Sequence, residues 1–224
     1  MTDTALLSLP RRPAAMLLDF DGVVLVSAEI KTRAFAEIYR DEDPAHVAGI
    51  VAYHRAHGGV SRDEKFRHFE ATLFHRPADQ ARVAALSARF TDIVLSAVLA
   101  APFVDGAEDF LEATCDASRL HVISGTPEEE LRHIVAARGL ERFFHSVVGA
   151  PTLKRDAFAR ILAAEGVAPE RALAVGDSTT EFDAARSLGI PFLGIRDEEG
   201  GSAFPPDVPV LASLAGAAAA LGFA

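Results

Sequence analysis

The stretch LLDFDGVVLV, residues 17–26, sets two carboxylates, Asp19 and Asp21, at the end of an apolar run. A buried parallel strand would ordinarily close there on neutral residues. Side chains alternate along a strand, so Asp19 and Asp21 point the same way while Phe20 points oppositely. Gly22 then allows a backbone conformation that other residues resist. Carboxylates aimed at one spot repel each other unless a cation lies between them. A hard divalent cation with oxygen ligands meets that need, and Mg²⁺ typically takes one or two carboxylates plus waters and a substrate phosphate.

Further β-rich apolar runs follow at 119–125, 145–150, 172–177 and 191–195, joining the first at 14–20. From residue 106 onward they alternate with amphipathic stretches, such as GAEDFLEATCD and KRDAFARILAAEG, whose apolar residues recur at spacings of three and four. Such alternation predicts βαβ units, hence an α/β fold with a doubly wound, Rossmann-like parallel sheet. Ligands of such sheets bind beyond the carboxyl ends of the strands. Residues 28–101 break the pattern with helix after helix: SAEIKTRAFAEIY, then SRDEKFRHFEATLF with Phe66, Phe69 and Leu73 on one face. A third, DQARVAALSARFTDIVLSAVLA, presents Leu86, Phe90, Ile93, Val94 and Ala97. We therefore expect a core of residues 1–27 and 102–224 with an inserted helical cap over 28–101.

The other predicted strand ends carry chemistry as well. Asp177 closes ALAVGD and can supply a third carboxylate. VISGTP ends in Ser124, Gly125 and Thr126 before Pro127, and hydroxyls with free N–H groups at a helix start form an anion site. Lys154 opens a helix just after another strand, where an ammonium can neutralise a phosphoryl oxygen. Taken singly, each feature has an ordinary alternative: a turn for the paired aspartates, an N-cap for Ser124, a solvated surface charge for Lys154. Their arrival at consecutive strand ends argues for one site.

These four segments resemble the motifs of the haloacid dehalogenase-like hydrolase superfamily, in the subgroup whose helical cap follows the first motif: DFDGVV, VISGT, Lys154 and VGDSTTEFDAA. The resemblance covers nearly the whole chain and implies phosphoryl transfer through an aspartyl-phosphate with Mg²⁺. It casts Asp19 as nucleophile and metal ligand, and Asp21 as general acid and base that binds metal through its main-chain carbonyl. Ser124 and Lys154 would hold the phosphoryl group, Gly22, Gly125 and Thr126 would line its site, and Asp177 would complete the metal site. Glu181 stands where a second aspartate is common and is expected to support the metal, with Asp183 as competitor. Val26 replaces another frequent aspartate outside the catalytic set. The carboxylate at position 21 favours phosphatases and mutases over dehalogenases.

In the cap, HRAHGGVSRDEKF (54–66) is the expected substrate-selecting loop. Gly58 and Gly59 permit an unusual turn, and Arg62 and Lys65 can reach an anionic substrate; alternatively, Ser61 caps a helix, Glu64 completes a capping box and both cations are solvated. Five of the eight histidines fall in the insert, and His57 beside the glycines is the one singled out.

The net charge of −10 argues against a nucleic-acid partner. All of it resides in the sheet portion, since the insert holds as many basic as acidic residues. The single cysteine, Cys115, precludes an intrachain disulfide and suits a reducing compartment. The N-terminal segment does not read as a signal peptide, and the apolar C-terminal LASLAGAAAALGFA is too short to cross a bilayer and predicts a packed helix. Together these point to a cytoplasmic protein; the resemblance implies a Mg²⁺-dependent phosphatase, monomer or homodimer, acting on a small phosphorylated metabolite. A sugar-phosphate mutase and a non-catalytic regulatory protein on the same fold are the alternatives.

Overall fold

The computed structural model describes residues 8–197 and 200–223. Residues 198, 199 and 224 of the expected loop and tail lie outside that range.

Six parallel strands form one sheet in the order β3-β2-β1-β4-β5-β6. They are β1 (Ala15–Leu18), β2 (Arg119–Pro127), β3 (Phe144–Ala150), β4 (Ala172–Gly176), β5 (Phe192–Ile195) and β6 (Val210–Leu211). β1 is central, paired with β2 on one side and β4 on the other, with Leu18 opposite both Val122 and Val175. All four of its residues are buried, as expected of a strand covered on both faces. Ala15 and Leu17 join one apolar cluster with Phe158 and Ile161, whereas Met16 and Leu18 join the other with Phe110 and Leu131. The covering helices are α5 (Ala107–Thr114), α6 (Glu128–Ala137), α7 (Lys154–Glu165) and α8 (Thr179–Leu188).

Residues 28–100 form four helices and no named strand: α1 (Ala28–Ile38), α2 (Pro44–Ala56), α3 (Arg62–His68) and α4 (Gln80–Ala100). α3 runs on into a π-helical turn, Phe69–Leu73. Phe35, Phe66, Phe69 and Phe90 pack at their centre, with Phe35 touching all three other rings. α2 has no counterpart among the predicted helices. It buries Ile50 alone, so the apolar stripe that reveals a helix is missing; its signal is Asp43, whose side chain accepts from Ala45 N, followed by Pro44 at the first turn.

Two details of the helical faces differ from expectation. α4 buries Val83, Leu86, Phe90, Val94 and Val98, while Ile93 is half-buried and Ala97 exposed. The buried set follows the 3–4 spacing from Val83 without a break, and Ala97 falls off it. α4 is also long and apolar enough to cross a membrane by length and composition, but its apolar edge is packed against α1 and α3.

The expected C-terminal helix shrinks to α9 (Ala217–Ala220), after strand β6. Gly216 and Gly222 both adopt positive φ, at +73° and +88°, and bracket it. Leu214, Leu221 and Phe223 are nevertheless buried, so the segment packs as a turn-rich strap rather than one long helix.

Candidate active site

The loops at the carboxyl ends of β1, β2 and β4 converge on a small chamber of about 90 Å³, roofed by residues of α1, α2, α3 and α4. Asp19, Asp21, Ser124, Gly125, Thr126 and Asp177 line its floor. The four motifs are thus gathered at one edge of the sheet, with Lys154 beside Asp19.

Asp19 follows β1 directly and is 5% exposed. Its Oδ1 lies 2.9 Å from Lys154 Nζ, which the first turn of α7 aims inward. Burial pushes the Asp19 carboxyl above its usual range, opposed by the Lys154 ammonium and reinforced by the negative charge of Asp21. Asp177, at the end of β4, is pushed up to about 8, first by burial and then by Asp19. Gly22 has φ +76°, and a Cβ there would lie 2.2 Å from Asp177 Oδ2. Glycine is therefore required twice, for the turn and for the approach to Asp177.

Glu181 is buried at the third position of α8. It completes a capping box with Ser178, whose N–H donates to Glu181 Oε2 at 3.1 Å, and its other oxygen contacts Lys154 Nζ. Asp19, Asp177 and Glu181 each bring one carboxylate oxygen within 4.8 Å of the others. Three carboxylates at that separation, those of Asp19 and Glu181 buried and that of Asp177 partly so, are a donor set for a hard divalent cation, so these residues fit Mg²⁺. The Asp21 carboxylate is not in the group, leaving its main-chain carbonyl as the expected ligand. Asp183 is exposed and faces an outer groove instead.

Asp21 points away from the cluster. It accepts from Lys31 Nζ at 2.5 Å, Ser27 Oγ at 2.6 Å, Ser124 Oγ at 3.2 Å and Thr126 Oγ1 at 3.3 Å. Burial opposes its charge, but the Lys31 ammonium and the hydroxyls outweigh it and hold the carboxyl below the usual range. The two aspartates of one strand end thus have opposite surroundings.

Lys31 was not among the predicted site residues, although it also donates to Thr126 Oγ1 at 2.6 Å. It stands ten residues after Asp21 in an ordinary amphipathic helix, with no motif around it. His54 is the chamber's histidine; His57 lies outside it, stacked on Tyr53 at 3.8 Å between ring centroids. The glycine pair touches the core as a seam: Thr180 Oγ1 donates to Gly58 O at 2.9 Å, and a Cβ on Gly125 would meet Gly59 O at 2.5 Å.

Two expectations for the cap cations need correction. Ser61 does cap α3, accepting from Glu64 N, but Arg62 and Lys65 are not solvated, at 6% and 2% exposure. Nor is the Arg62 guanidinium free for substrate, because it pairs with Glu130 at 2.6 Å and donates to Thr91 Oγ1 at 2.8 Å. α6 thus supplies the carboxylate that neutralises this interior arginine.

A parallel sheet in this order, with carboxylates and hydroxyls gathered at its carboxyl edge, defines a Rossmann-like α/β protein with its site at the strand ends. Residues 13–189 match the family model of haloacid dehalogenase-like hydrolases. The chain belongs to that family. Similar solved structures include a predicted phosphoglycolate phosphatase from Haemophilus somnus, 16% identical, with TM-score 0.69 over 92% of this chain and 96% of that one. CbbY from Rhodobacter sphaeroides in complex with phosphate is 22% identical, with TM-score 0.68 over 91% and 95% of the two chains. β-Phosphoglucomutase from Clostridium difficile is 15% identical, with TM-score 0.68 over 90% and 91%. At these identities the likeness is one of fold. No curated protein matches the chain significantly.

Proposed function

We propose that this chain is a phosphatase that hydrolyses a small phosphomonoester through an aspartyl-phosphate on Asp19, under a cap formed by α1–α4. The observation that carries this reading is the division between the two aspartates: Asp19 lies against Lys154 and the carboxylate cluster, and Asp21 against Lys31 and three hydroxyls.

An Asp19 carboxylate oxygen attacks phosphorus, the bond to the leaving alcohol oxygen breaks, and that oxygen takes a proton from Asp21. A water then attacks the aspartyl-phosphate, giving its proton to Asp21, and inorganic phosphate leaves with Asp19 restored. Lys31 holds Asp21 ionised, which is the state that accepts the water's proton. The negative phosphoryl group of an arriving substrate raises a neighbouring carboxyl and supplies the protonated state for the first half. Lys154 and the Ser124 hydroxyl offset charge on the phosphoryl oxygens. Asp19, Asp177 and Glu181 would hold Mg²⁺, which supplies electrostatic stabilisation of the transferring group when bound. The roof residues limit the chamber's access to bulk solvent, as a closing lid does.

The test is phosphate release from a panel of phosphometabolites with and without Mg²⁺. Asp19→Asn is expected to abolish release while leaving the circular dichroism spectrum unchanged. Isomerisation of a hexose 1-phosphate without free phosphate would replace the hydrolase by a mutase, and absence of both reactions would favour the non-catalytic reading.

A further inference from the structure

Charge pairing within the chamber leaves one cation over. Lys154 faces Asp19 and Glu181, Lys31 faces Asp21, and Arg62 faces Glu130. Lys65 has no carboxylate within ion-pair distance among the described residues. Its ammonium lies 2.8 Å from His54 Nδ1 and 5.8 Å from the centroid of the Phe35 ring, and its side chain lines the chamber.

His54 cannot neutralise it. Burial, then the charge of Lys65, pushes the imidazole down to about 2, so His54 is neutral and serves as a hydrogen-bond acceptor through Nδ1. An ammonium has three N–H donors, and one bond to His54 leaves two for the chamber. A buried, unpaired cation is costly, and burial followed by repulsion from Lys31 lowers the Lys65 ammonium to about 7. An anion arriving from the chamber would return it to the charged form and remove that cost.

Resting on the phosphatase reading, we propose that Lys65, positioned by His54, is the specificity-determining residue that binds a second anionic group of the substrate, the substrate being a compact phosphomonoester with a carboxylate or second phosphate at its far end. The surroundings agree. Asp19, Asp21 and Asp177 repel an anion on the floor, so the phosphoryl end belongs by Lys154 and Ser124 and the second charge belongs under the roof. Phe35 and Phe90 add apolar lining to the chamber, suited to a short carbon chain. The chamber's volume of about 90 Å³ amounts to several water positions, in keeping with a compact substrate.

Three esters of matched length separate the possibilities: phosphoglycolate, the bisphosphate of ethylene glycol, and ethyl phosphate, which has no second charge. We expect kcat/KM for the better of the two anion-tailed esters to exceed that for ethyl phosphate by about 100-fold, the scale of a buried charge-assisted bond. Whichever anionic ester wins identifies the group. Lys65→Met, which removes the charge at similar volume, should bring that ratio within a few-fold of unity through KM, and Lys65→Arg should retain part of it. Calorimetric affinities in the Asp19→Asn background should show the same loss on adding Lys65→Met, independently of turnover. Equal use of ethyl phosphate, or a preference that survives Lys65→Met, would overturn the inference while leaving the phosphatase reading intact. No phosphate release from any ester would instead sink the phosphatase reading, and with it this inference.

Discussion

The guanidinium of Arg62 on α3 lies 2.6 Å from the carboxylate of Glu130 on α6, and both side chains are largely withdrawn from solvent. Thr91 on α4 joins them, donating to Glu130 Oε2 at 2.7 Å. One ion pair thus ties the helical insert to the sheet's covering helix at the wall of the chamber. Breaking a buried pair from one side leaves an uncompensated charge. Glu130→Ala is therefore expected to lower stability by about 3–5 kcal/mol in denaturant unfolding, whereas Arg62→Met with Glu130→Leu should lose much less. Equal losses in the single and double variants would show that the pair does not act as a unit.

Gly22→Ala places a Cβ where Asp177 Oδ2 now lies and forces φ +76° on a residue that resists it. Displacing one of three clustered carboxylates should weaken Mg²⁺ binding by tenfold or more, and the backbone strain should cost about 1–3 kcal/mol. Calorimetric titration with Mg²⁺ reads the first effect and chemical denaturation the second; wild-type affinity would remove Asp177 from the cation site.

At Gly59 an added Cβ would sit 1.9 Å from Thr180 Oγ1 and 2.6 Å from Glu181 Oε1. Gly59→Ala should wedge the glycine turn off the core and open the chamber to water. We expect phosphate release to fall about 10–100-fold, since misplacement by about 1 Å is enough for such a loss, and the φ of +75° to cost about 1–3 kcal/mol of stability, as at Gly22. Faster exchange of the amides in residues 57–61 would confirm an opened seam, and unchanged exchange would argue against it.

His121, near the amino end of β2, lies far from this chemistry but makes the fold sensitive to acid. Its Nδ1 lies 2.8 Å from Ser146 Oγ, and burial lowers its pKa from 6.5 to about 4, against the pull of Glu165. Between those values the unfolded chain binds the proton and the folded chain does not, so stability falls as pH drops from 6.5 towards 4. The expected loss is on the order of 3 kcal/mol by pH 4. His121→Gln should flatten that part of the profile, leaving a residual slope from His54, whose pKa is also lowered; an unchanged slope would show that His121 does not titrate there.

The strand-end residues were legible because the strand pattern and the residue types lie within a few positions of each other. Asp19 and Asp21 need only to close an apolar run, although β1 ends at Leu18 and the two side chains diverge beyond it, and Lys154 needs only to open a helix after a strand. α2 escaped because it buries a single residue fully, so no stripe distinguishes it. The C-terminal segment misled in the other direction: alanine favours helix, but Gly216 and Gly222 stop it after one turn.

What the amino-acid order by itself determined is the parallel sheet, the interrupting run of helices and the placing of Asp19, Asp21, Ser124, Lys154 and Asp177 at its carboxyl edge. All of these follow from short-range periodicity. Only the tertiary structure decided which charges meet. Lys31 reaches Thr126 across 95 residues of chain, Arg62 finds Glu130, and Lys65 finds a neutral histidine. A side chain's partner in the interior is set by which helices pack face to face, and burial makes that choice decisive, because an interior charge must be paired or left waiting for a ligand.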